Sequence, residues 1–178
     1  MTHTEFVNAL MGILLPDEEY RKTGVSEQFI QRLKKSLLPE QRSGIKESGD
    51  TDPLVRLVEN YRFEDDQVIG MVGFLDKIKK TPAYTYIGKF ELDDLVINNS
   101  TKEIVILEED IDHFLWYCAS NSATFLDALI HIGAFLEKRG VDKNLYDNEA
   151  INLAVAEETA EIAGGQKYLD FYQTMLGF

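Results

Sequence analysis

The chain has 178 residues, 44% hydrophobic and 28% charged, a balance that supports one folded domain with a buried core and excludes the disordered and fibrous classes. Its 31 acidic against 18 basic residues give a net charge of −13, which repels nucleic-acid backbones and anionic lipid surfaces and disfavours both as partners. Cys118 is the only cysteine, so an internal disulfide and a Cys-rich zinc site are excluded, and a reducing compartment is favoured.

Near the N-terminus, Phe6, Leu10, Ile13 and Leu14 recur at helical spacing and predict a helix ending near Leu15, ahead of Pro16. The apolar stretch 7–15 follows Glu5, lacks a basic flank and is amphipathic, so it does not read as a signal peptide. No run approaches the roughly 18 apolar residues that a membrane span needs. The chain is therefore read as cytoplasmic. A second helix starts at Ser26, whose hydroxyl can cap it; Val25 and Ile30 are spaced as a hydrophobic staple, and Phe29, Leu33 and Leu37 form an apolar stripe that stops at Pro39. Residues 40–53, rich in Gly, Ser and charge, read as a loop.

From residue 54 to 120 the pattern changes to short β-rich runs at 67–75, 84–88, 92–97, 103–107 and 114–118, with 54–60 open between helix and strand. Asn98, Asn99, Ser100 and Thr101 suit a tight reversal, and connections this short cannot carry parallel crossovers. A largely antiparallel sheet follows. Helices then return. One opens at Ser120 or Ser122, with Phe125, Leu126, Leu129, Ile130, Gly133 and Phe135 on its apolar face, and ends near Arg139 and Gly140. Another is capped by Asn148, turns Ile151, Val155 and Ile162 inward and stops at Gly164-Gly165; a last helix spans 167–176. The predicted fold is α+β, with a central antiparallel sheet packed by N- and C-terminal helices in a single domain, 1–178.

No catalytic or metal-binding pattern emerges. His3, His113 and His131 are the only histidines, and none stands at a ligand spacing from another. Cys118 lies in an apolar-aromatic run, where a free cysteine behaves as a small buried hydrophobe without an activating base. The glycines of Gly70-Met71-Val72-Gly73, placed within the first strand, lack phosphate-loop spacing and read as a bulge or a close packing contact. No cofactor is implied. The carboxylates do stand out: residues 57–178 hold twenty-two acids against ten bases, and 91–112 hold eight acids against one base, Lys102. From that stretch Glu91, Asp93, Asp94, Glu108, Glu109, Asp110 and Asp112 are the candidate partner-binding residues, steering a basic protein. The plainer reading is a set of solvated hairpin ends, and the enzymatic one, a carboxylate-dependent hydrolase, needs two of these acids to converge in a cleft. Tyr84, Tyr86, Phe90 and Trp116 are candidates for the buried contacts of such an interface, with the core the expected place of most of them.

The succession Tyr86-Ile87-Gly88, Asp94-Leu95-Val96-Ile97, Ile104-Val105-Ile106, then Ala119-Ser120-Asn121-Ser122 leading into Phe125-Leu126, resembles the SUKH superfamily, which includes bacterial immunity proteins and the Smi/Knr-type regulators. Ala163-Gly164-Gly165 followed by Tyr168 and Phe171-Tyr172 resembles the end of some bacterial members. Leu38-Pro39 matches the family's Leu-Pro step, but no aromatic-Asn-Gly follows it. The resemblance implies a non-enzymatic protein that neutralises a cognate toxin, often a nuclease, by direct binding in the bacterial cytoplasm. The alternative it implies is a regulatory protein-interaction module.

Overall fold

The computed structural model describes residues 1–43, 49–65 and 67–178. Helix α1 (His3–Ile13) begins with a capping box between Thr2 and Glu5, buries Phe6, Leu10 and Ile13, and gives way to extended backbone at Leu14 before Pro16. The short helix α2 (Asp17–Lys22), unforeseen in the sequence, buries only Tyr20; six residues with one apolar contact leave no periodic stripe to read. Helix α3 (Glu27–Ser36) is capped by Ser26 as expected, but its buried residue is Ile30, joined by Leu37 just past its end. Of the expected stripe, Leu37 is buried, Leu33 half-buried and Phe29 exposed, its place in the core taken by Ile30.

Within the predicted loop 40–53, residues 44–48 lie outside the described set, and the remainder contributes strand β1 (Glu40–Gln41). The undecided segment 54–60 is helical: in α4 (Pro53–Asn60) the Asp52 carboxylate accepts from two backbone N–H groups, proline occupies the first turn, and Leu54, Val55, Leu57 and Val58 are buried. Strand β2 (Tyr61–Arg62) pairs antiparallel with β1.

Five strands follow: β3 (Val72–Lys80), β4 (Tyr84–Phe90), β5 (Asp93–Asn98), β6 (Ile104–Leu107) and β7 (Phe114–Ala119). They form an antiparallel meander in that order. The first run starts later than its hydrophobicity suggests. Gly70, at φ +57°, and Met71 make a tight reversal between Ile69 and Val72, so only the second glycine of Gly70-Met71-Val72-Gly73 lies in a strand. The strand then runs on through Asp76, Lys77, Lys79 and Lys80, because β3 is an edge and its outer half meets water. At Gly88 a Cβ would stand 2.2 Å from the carbonyl oxygen of Gly73, so β3 and β4 approach more closely there than a side chain allows.

Alternation along β4, β5 and β6 sends Ile87, Leu95, Ile97, Ile104 and Ile106 into the main core, shared with helices from both ends of the chain. The intervening Tyr86, Val96, Val105 and Leu107 form a second small cluster with Leu75 and Tyr84. Beyond the sheet, Asn121 caps α5 (Ser122–Val141), which buries Phe125, Leu126, Ala128, Leu129, Ile132 and Gly133; Ile130 and Phe135 are half-buried at its margin. After the short α6 (Lys143–Tyr146), α7 (Glu149–Ala163) is capped by Asn148 as read, but of the expected inward face only Val155, half-buried against the core, points inward. Ile151 and Ile162 are exposed, whereas Ala156, Thr159, Ala160 and Ala163 are buried where α7 lies against α5 and α8. Small side chains let these helices approach closely, and side-chain size outweighs hydrophobicity in choosing the face. Gly164, at φ +128°, ends α7; a 3-10 turn (Gln166–Tyr168) leads into α8 (Leu169–Leu176), and the Tyr172 hydroxyl donates to the Cys118 carbonyl at 2.8 Å. Among the described residues no helix is long and apolar enough to cross a membrane.

Candidate protein-binding surface

In a meander, alternate connections lie at the same end of the sheet, so the β4–β5 turn (91–92) and the β6–β7 connection (108–113) are neighbours. The pairings Phe90 with Asp93 and Asp94 with Leu107 fix them in register. All seven predicted partner-binding residues therefore share one end of the sheet. Glu103 lies apart, paired with Lys167 and accepting from the Tyr168 hydroxyl at 3.0 Å.

The carboxylates do not stand against Lys102 alone. Lys89, at the end of β4, sends its Nζ to Asp94 at 2.9 Å, to Glu109 at 2.8 Å and to the Leu92 carbonyl at 2.9 Å, tying the two connections together. Burial works against its charge, but the hydrogen bonds and charges of Glu109 and Asp94 outweigh that and raise the ammonium pKa. The Glu109 N–H donates to Asp93 Oδ1 at 3.3 Å, and the Tyr86 hydroxyl donates to Asp112 Oδ1 at 2.7 Å. Burial and that bond push the Tyr86 phenol up to about 12.

The seven acids thus divide. Asp93, Asp94, Glu109 and Asp112 hold the connections in shape. Glu91, Glu108 and Asp110 make no ion pair among the described residues and are exposed, which leaves their charge directed at solvent. Glu91, Asp110 and Asp112 also adopt positive φ, at 54°, 68° and 52°. No family model, no curated protein and no solved structure matches the chain.

A groove of about 780 Å³ runs beside this end, lined by Arg32, Arg62 and Lys89 together with Glu64, Asp65, Asp76 and Glu91. Of the seven acids only Glu91 lines it; its other carboxylates are Glu64, which pairs with Lys35, Asp65, and Asp76, which pairs with Arg42 and Arg62. His3, half-buried, stands 3.2 Å from Asn60; His113 is exposed; His131 lies 3.6 Å from Glu158. Among the described residues, no group of three or more His, Cys, Asp or Glu side chains could hold a metal ion. Cys118 is fully buried, and burial holds its thiol pKa well above the ordinary value.

Of the four aromatics read as contact candidates, Tyr86 and Phe90 are buried and Tyr84 and Trp116 half-buried. The side chains that do reach solvent at this end escaped the sequence reading: Leu92, 75% exposed, Ile111, 64% exposed, and Phe114 and Tyr117 beside them. The sequence pattern predicts a strand from Leu92, but β5 begins one residue later and leaves Leu92 in the turn. A signal was present, since Leu92 sits between Glu91 and Asp93, and Ile111 between Asp110 and Asp112. A lone apolar residue in an acidic turn has no core to enter.

Proposed function

We propose that this chain is a non-enzymatic binding protein that neutralises a cognate toxin, a basic nuclease domain being the partner chemistry that fits best, by covering its cationic surface. The observation that carries this reading is the acidic end of the sheet, where Lys89 ties two turns together and Glu91, Glu108 and Asp110 make no ion pair among the described residues. A nuclease must display cationic residues to hold its substrate backbone, and an anionic protein of complementary field can occupy them. The SUKH-like order of motifs supports the same reading, and its residues fall at joints of the fold: Gly88 at the close approach of β3 and β4, Asn121 at the cap of α5, Gly164 at the end of α7. With the function residing on a surface, no catalytic residue, metal or cofactor is needed.

Co-expression with the toxin domain encoded beside its gene tests this. The expected result is rescue of growth and a stoichiometric complex that salt weakens. Neighbouring genes that encode no toxin, or a toxin whose activity is unchanged by an excess of this protein, would overturn the reading.

A further inference from the structure

Charge speeds the encounter of two proteins, but affinity depends on a few apolar contacts that lose water on binding. Carboxylates do not supply those contacts. At the acidic end of the sheet stand Leu92, 75% exposed, Ile111, 64%, and Phe114, 41%; Tyr117, 37%, adjoins Phe114 from further along β7, opposite Val105 and under the Lys167 ammonium. The first three come from connections and a strand end that are cross-linked. Lys89 bonds both the Leu92 carbonyl and Glu109, Phe114 pairs in register with Leu107, and the Phe114 and Tyr117 rings are 4.4 Å apart. Resting on the binding function proposed above, we infer that Leu92, Ile111 and Phe114, with Tyr117 beside them, are the anchor of the interface. Its occupant is a cationic protein segment that presents apolar side chains between lysines or arginines. Charge complementarity selects this occupant. A second copy of the chain would press like carboxylates together on bodies of net charge −13 each, and nucleic acid or an anionic membrane would be repelled.

The probe is a synthetic 18-residue amphipathic helix of leucine and lysine, compared with an oligolysine of equal charge. Binding is followed by calorimetry and by amide chemical shifts of the full chain. The peptide is expected to shift amides at 91–93 and 108–117 and to bind about tenfold or more tighter than oligolysine. The double variant Leu92→Ser/Ile111→Ser is expected to lose about tenfold in affinity at unchanged Tm, since both side chains are already exposed. Glu91→Gln/Glu108→Gln/Asp110→Asn should weaken binding and flatten its salt dependence.

If the serine variant binds like wild type while the amide variant binds weakly, the anchor is refuted and the charge reading stands. The opposite pattern keeps the anchor and refutes the charge. Absence of binding, or shifts confined to the groove beside Arg32 and Arg62, overturns the anchor. So does a wild-type dimer that the serine variant abolishes, which would make a second copy the occupant.

Discussion

Lys89 and Glu109, twenty residues apart in the chain, meet at 2.8 Å across the end of the sheet, and through them the β4–β5 turn and the β6–β7 connection behave as one surface. Both side chains are partly in water, so the link is worth little to global stability and much to local shape. Replacing Lys89 with methionine is expected to cost about 1 kcal/mol or less in urea unfolding. Amide exchange at 91–93 and at 108–113 should accelerate together. Loosening of one segment alone would show that Lys89 does not couple them.

Gly88 should tolerate no side chain. A Cβ there would meet the Gly73 carbonyl oxygen at 2.2 Å, and backbone cannot step aside without breaking the pairing of β3 with β4. Gly88→Ala is expected to destabilise by about 3 kcal/mol or more, measured by thermal or urea unfolding. Gly140→Ala, in α5 with open space around it, should instead be neutral or add up to about 1 kcal/mol.

Glu91 holds a left-handed backbone conformation at φ 54° that glycine adopts without strain. Glu91→Gly is expected to raise stability by about 1 kcal/mol while slowing association with a basic partner. Chemical unfolding and stopped-flow mixing report the two effects separately. A loss of stability would mean that the Glu91 side chain holds the turn rather than facing outward for a partner.

Tyr20 anchors α2 by accepting the Leu15 N–H at 3.0 Å and donating to the Glu137 carboxylate of α5. Burial raises the Glu137 pKa and the tyrosine bond only partly offsets it, so the folded chain holds that proton more tightly than the unfolded one. The stability this gives is whole below the unfolded value of about 4.3 and is lost as pH rises through the folded-state value. Glu137→Gln, which keeps an acceptor without the charge, is expected to match or exceed wild-type stability at pH 7. That advantage should vanish below about pH 4. Tyr20→Phe should cost about 1–2 kcal/mol, because the Leu15 N–H and Glu137 both lose a partner.

What the sequence disclosed follows from where local chemistry dominates. Ser26 and Asn148 cap helices through their own side chains, and Asn98 shapes its turn by accepting from the N–H groups of Ser100 and Thr101. Tertiary choices were hidden. The buried face of α7 is set by the closeness of its neighbours, so alanines went in and Ile151 and Ile162 came out. The outer half of β3 is charged because an edge strand meets water, which erases the alternation that marks an inner strand. At the site, the run of acids was visible as charge. Its division into shape-holding and solvent-facing carboxylates was not, because Lys89 lies outside the acidic stretch and reaches it only through strand register.

On the function proposed above, Glu91, Glu108 and Asp110, which make no ion pair among the described residues, steer a cationic protein onto the end of the sheet. The most direct measurement is the stopped-flow association rate with the cognate toxin domain across a range of ionic strength, comparing wild type with Glu91→Gln/Glu108→Gln/Asp110→Asn. Asp94, Glu109 and Asp112 stay in place because they shape the turns. The wild-type rate should fall steeply with added salt; the variant should be on the order of tenfold slower at low salt and converge with wild type at high salt. Equal rates and equal salt dependence in the two proteins would contradict the account.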